Sequence, residues 1–119
     1  MNPIELIKAE RERQTLAHGY NSTHDDEHTD GELSAAAASY ALFEAYQVVA
    51  ERYTPTRTID KEAPKHWPWT AECWRPADDK IRNLVKAGAL IVAEIHRLQR
   101  AGAEAPAHPQ HNDQEEPRP

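Results

Sequence analysis

Apolar positions recur at intervals of three and four in the stretch from Ala77 to Ala101. Ile81, Leu84, Val85, Gly88, Ile91, Val92, Ile95 and Leu98 follow one another at the spacing of a single helix face. Asp78 and Asp79 suit the positive end of such a helix, and Arg97 and Arg100 suit its negative end. Gly102 reads as its stop. A second helix is predicted over about 30–53. "TDGE" reads as a capping box, with Thr29 as cap and Glu32 three residues on. Its start is rich in alanine, which loses no side-chain entropy in a helix. Leu33, Ala36, Tyr40 and Phe43, with Ala37, Ala41 and Val48, give it a broad apolar face. Pro55 ends it. A third helix is predicted over about 3–18. Asn2 is its cap, Pro3 its first position, and Glu5 complements its dipole, with Gly19 as the stop. Its apolar set is Ile4, Leu6, Ile7 and Leu16, and "KAERERQ" reads mostly as a solvated face. Arg11, Arg13 and Gln14 remain candidates to face inward toward a site.

The fold class that follows is all-α, with three main helices (about 3–18, 30–53 and 77–101) in one helical domain over 1–101. Residues 54–76 connect the last two helices with four prolines and all three tryptophans. A connection of that length either packs down or serves a function, so Trp67, Trp69 and Trp74 are expected to cover the helices as a lid or a plug. Residues 102–119 are polar and proline-rich and are expected to form a disordered tail. Alanine on one helix and a Leu/Ile/Val stripe on another leave more apolar surface than three helices cover, so the helices are expected to pack as an oligomer.

Composition narrows the partners. The formal net charge of the 119 residues is −6. Non-specific nucleic-acid binding needs a basic face, so it is not expected. The lone cysteine, Cys73, forms no intrachain disulfide, which fits a reducing cytoplasm. No apolar run is long enough to span a membrane, and the N-terminal stretch does not read as a signal peptide.

Two clusters carry candidate chemistry. In "HDDEHTDGEL" Glu27, Asp30 and Glu32 are candidate oxygen ligands for Mg²⁺ or Mn²⁺. His24 and His28 could serve a transition metal instead, and a solvated helix entrance is the third reading. The second cluster surrounds the tryptophans. Trp67, Trp69 and Trp74 can stack on nucleobases, and Arg75 can pair with phosphate. Arg11, Gln14 and Lys86 complete the candidate ligand-binding set. Glu94 is a candidate half-buried carboxylate near Lys86 or Arg11.

The ordered blocks "ERERQ", "GYNSTHDDEHTDGELSAAAASYA", "WPWTAECWRP" and "RNLVKAGALIVAEIHRLQR" resemble a family of small proteins encoded by tailed phages and prophages. That resemblance implies a cytoplasmic accessory protein that manipulates the host, by sequestering a nucleotide signal or blocking a defence protein. It transfers no catalytic residue. A weaker similarity is to the MazG-like all-α nucleotide pyrophosphohydrolases, which hold Mg²⁺ with E-x-x-E and E-x-x-D pairs. "EHTD", Glu27 to Asp30, matches the second pair. No E-x-x-E lies at the matching distance, and Asn83 and Lys86 stand where acids belong. The alternative this implies is an Mg²⁺-dependent nucleoside triphosphate pyrophosphohydrolase.

Overall fold

The computed structural model describes residues 1–18, 22–53 and 62–104. It is all-α. The elements run α1 (Pro3–His18), α2 (Ser22–Asp26), α3 (Glu32–Tyr53), a single 3₁₀ turn at Ala71–Cys73, and α4 (Lys80–Glu104). Gly19, Pro55 and the tail from residue 105 lie outside the described residues.

Helix starts follow side-chain caps. At α1 the exchange is reciprocal: the Glu5 N–H donates to Asn2 Oδ1 at 2.9 Å, and the Asn2 N–H donates to Glu5 Oε1 at 3.0 Å. The α4 helix starts at Lys80, three residues later than expected. Asp79 is the cap there, and its Oδ1 accepts from the Ile81 N–H at 2.9 Å. Asp79→Ala is expected to cost about 1 kcal/mol in denaturant unfolding. The far end of α4 also departs from the sequence reading, because the helix continues through Gly102 to Glu104. The α3 helix starts at Glu32 and not at Asp30. Gly31 takes φ +83°, a left-handed conformation that breaks the chain before the helix. Glu32 still caps, but its Oε1 accepts from the Asp30 N–H at 2.6 Å, and not from Thr29. The short α2 falls between the first two helices that the sequence predicts.

The core lies between α3 and α4. Leu33, Ala36, Ala37, Tyr40 and Phe43 of α3 meet Ala87, Leu90 and Ala93 of α4, and Trp74 closes the cluster. Alanines on both helices let the two backbones approach closely. This corrects the sequence reading of α4. Its Ile/Leu stripe faces outward, with Ile81, Leu84, Ile91, Ile95 and Leu98 all exposed. On α3, Ala41 and Val48 also lie outside the core. Against α3 the chain buries Asn83 instead. Asn83 Oδ1 accepts from the Ala77 N–H at 2.7 Å, and Nδ2 donates to the Ala77 carbonyl at 2.8 Å and to Glu44 Oε2 at 2.5 Å. One side chain thus fixes the entry into α4 and anchors it to α3.

The α1 helix follows its expected apolar face only in part: Leu6 and Ile7 are half-buried, with Ile7 against Gly88 of α4. Ile4 and Leu16 are exposed, while Glu10 and Gln14 are buried. The polar face turns inward because α4 supplies a cation for Glu10, with Arg82 Nη2 at 2.5 Å from its Oε1. A buried carboxylate is tolerated when it is paired and hydrogen-bonded in this way.

Candidate ligand pocket

Glu10, Arg13 and Gln14 sit on one face of α1 through their i, i+3 and i+4 spacing. Arg13 grips Glu10 in a fork, Nε to Oε1 at 2.8 Å and Nη2 to Oε2 at 2.8 Å. Gln14 Nε2 donates to Glu10 Oε2 at 3.2 Å. Burial pushes the Glu10 carboxyl up, but the contacts with Arg13 and Arg82 outweigh it and hold it below its ordinary value.

Opposite this face, the segment before α4 contributes aromatic rings. Trp74 is buried against Tyr40 at 4.7 Å and Phe43 at 5.8 Å between ring centroids. Trp67 stands edge-on to Trp74, at 5.0 Å, and to Trp69, at 5.3 Å. Trp67 is fixed by its indole N–H, which donates to the Thr70 carbonyl at 3.0 Å. The tryptophans therefore pack down onto α3 and leave Trp67 and Trp69 partly uncovered.

Between the two walls lies a cavity of about 220 Å³. Glu10, Arg13, Gln14, Tyr40, Trp67, Trp69, Cys73, Arg75, Lys86 and Leu90 line it. Lys86 Nζ donates to the Arg75 carbonyl at 2.7 Å and lies 5.5 Å from the centre of the Tyr40 ring. The Arg75 side chain donates to the Glu72 carbonyl at 3.4 Å. Neither cation has a carboxylate partner among the described residues. Burial lowers the Lys86 pKa, and the positive charge of Arg82 lowers it further, against the opposing pull of Glu10. The lining thus holds three cations, Arg13, Arg75 and Lys86, against the single carboxylate of Glu10, and that carboxylate is already taken. Charge in this cavity has the opposite sign to that of the whole chain, which is −6. A second cavity of about 620 Å³ adjoins it across Trp69 and Cys73, with His24 and His28 on its far side.

Of the seven ligand-binding candidates, Gln14, Trp67, Trp69, Arg75 and Lys86 come together around the first cavity. Arg11 does not line it, because its guanidinium pairs with the buried carboxylate of Asp25 and ties α1 to α2. Trp74 is core. Glu10, Tyr40, Leu90 and the supporting Arg82 were not among the sequence candidates, although the i, i+3, i+4 spacing within "ERERQ" places Glu10 beside Arg13 and Gln14.

The acidic stretch is dispersed. Asp25 pairs with Arg11, and Asp26 pairs with Arg100 of α4, Oδ1 to Nη2 at 2.7 Å. Glu27 and Asp30 are exposed. Glu32 is held by its cap and lies 3.5 Å from His28 Nδ1. Its own backbone N–H is the largest influence keeping its carboxyl below the ordinary value. Among the described residues no three His, Cys, Asp or Glu side chains gather in a group that could hold a metal ion. Glu94 forms a two-point pair with Arg97, 2.6 and 3.0 Å, and reaches neither Lys86 nor Arg11.

Fold and cavity together define an all-α protein with a cationic, tryptophan-walled pocket. Compared with family models, with curated proteins and with solved structures, the chain matches none of them. No helix among the described residues is long and apolar enough to cross a membrane.

Proposed function

We propose that the protein binds a small anionic, aromatic ligand of the nucleotide class in this pocket and holds it without converting it. The observation that carries the reading is the pairing of Arg75 and Lys86, both lacking a carboxylate, with the partly uncovered Trp67 and Trp69 on one cavity wall. Lys86 is half-buried beside other cations, which disfavour its charge in the unliganded chain, and the opposite charge of a bound anion would offset that. Tryptophan offers a face for a base, and arginine offers a fork for a phosphate. At about 220 Å³ the cavity falls below the ~300 Å³ of sites that enclose a whole drug-sized molecule. It takes one part of the ligand, and the adjoining space beyond Trp69 takes the rest. In the phage setting that the resemblance implies, retention of a nucleotide withdraws it from the host.

Calorimetric titration with a nucleoside triphosphate, its parent nucleoside and inorganic phosphate tests the reading. Saturable binding is expected for the nucleotide, with weaker binding of the two fragments. The bound nucleotide should be recovered intact after incubation with Mg²⁺. Absence of binding by all three overturns the proposal. Release of pyrophosphate would replace retention by hydrolysis.

A further inference from the structure

We propose that α4 pairs with α4 of a second copy of this chain. The outward face of α4 carries Ile81, Leu84, Ile91, Ile95 and Leu98, and with Gly88, which meets Ile7 of α1, in register between Leu84 and Ile91 the series is spaced three, four, three, four, three. That is a strict seven-residue repeat. On a straight helix such a repeat drifts by about 20° per heptad, and it stays in line only along a helix wound around a partner helix. Ile81, Gly88 and Ile95 occupy one repeating position, and Leu84, Ile91 and Leu98 the other. Isoleucine at the first and leucine at the second, as in Ile81/Leu84 and Ile95/Leu98, favours two strands over three or four, and Gly88/Ile91 departs from that pairing in the central heptad.

The inventory of the single chain supports a missing partner. Among the described residues its buried hydrophobics larger than alanine are Leu33, Tyr40, Phe43, Trp74, Val85 and Leu90. The five seam side chains are each about half exposed, from 49% at Ile95 to 62% at Ile81. Together they present on the order of 500 Å² of apolar surface, comparable with the largest patch on ordinary monomers and more than half of one side of a standard interface. Leu42, Tyr46 and Val49 of α3 add to the exposed apolar surface. By sequence, residues 19–21, 54–61 and 105–119 hold Tyr20 and Ile59 and no leucine, valine, methionine, phenylalanine or tryptophan. At Gly88 a side chain would collide with Ile7, whose Cδ1 would lie 2.7 Å from the added Cβ. Glycine there lets α1 of the same chain pack at the edge of the seam. The seam faces away from Lys86 and Leu90, which line the pocket, so pairing leaves ligand access unchanged.

Sedimentation equilibrium of the full chain at micromolar concentration is expected to give twice the 13.5 kDa chain mass. Ile91→Asp and Ile95→Asp should give the mass of one chain with helical circular dichroism retained, because both positions are half exposed within one chain. Leu84→Ala and Ile91→Ala should raise the dimer dissociation constant by about tenfold or more, and they serve if the charged variants unfold. A wild type of single-chain mass overturns the proposal. So does a trimer or larger assembly, or a dimer constant unmoved by the alanine variants.

Discussion

Replacing Glu10 by glutamine is expected to lower stability by about 2 kcal/mol and to flatten its dependence on acid pH. Glutamine keeps the shape but removes the charge that Arg13, Gln14 and Arg82 converge on. Breaking a fully buried pair costs about 3–5 kcal/mol. The Arg13 and Arg82 side chains are 43% and 36% exposed, so water screens part of the loss. The pH effect has a definite sign. The folded pKa of Glu10 lies below its ordinary value, so the folded protein binds fewer protons there than the unfolded chain does. The contribution is fully present above the unfolded carboxylate range, about pH 4.5 and up. It is lost as pH falls through the folded value. Urea midpoints measured from pH 7 to pH 3 should fall for the wild type more than for Glu10→Gln. Parallel curves would remove Glu10 as the origin.

Lys86→Met is expected to separate binding from folding. Burial and the Arg82 charge both disfavour the ammonium in the folded chain. Methionine matches the stem and relieves that cost, losing one hydrogen bond to the Arg75 carbonyl. Stability should stay within about 1 kcal/mol of wild type or rise. Nucleotide affinity should fall by about tenfold or more, the loss of one charge-assisted contact. A variant that binds as before would show that the ligand does not reach Lys86.

Helices α1 and α4 show what the apolar pattern could and could not reveal. Helix existence was readable because caps and periodicity act locally, as at Asn2 and Glu5. Which face turns inward was not, because that choice is made between helices. The strongest apolar repeat, Ile81 to Leu98, lies outside the contact with α3, and alanines occupy the contact instead. No local rule prefers Ala87 and Ala93 over Ile91 for burial. The buried face of α1 was hidden for the same reason, since Glu10 is acceptable in the interior only once α4 supplies Arg82. At the pocket, Trp67, Trp69, Arg75 and Lys86 were legible because stacking rings and cations stand close together in sequence. Tyr40 and Leu90 were not, because each reads as core until its neighbours are placed. The acids of residues 24–33 left a metal site and a solvated helix entrance both open in the sequence. Asp25 and Asp26 are spent on Arg11 and Arg100, one far along the chain, which no local count anticipates.

Trp67 and Trp69 line the pocket and report on it directly, so tryptophan fluorescence during titration with a nucleoside triphosphate is the most direct test of binding there. The wild type should show a saturable change that weakens as salt is raised, because Arg13, Arg75 and Lys86 supply charge. In Lys86→Met and in Trp69→Ala the change should shrink or require far more nucleotide. No saturable change in the wild type, or one that survives both substitutions and high salt undiminished, would contradict a nucleotide pocket between α1, α4 and the tryptophans.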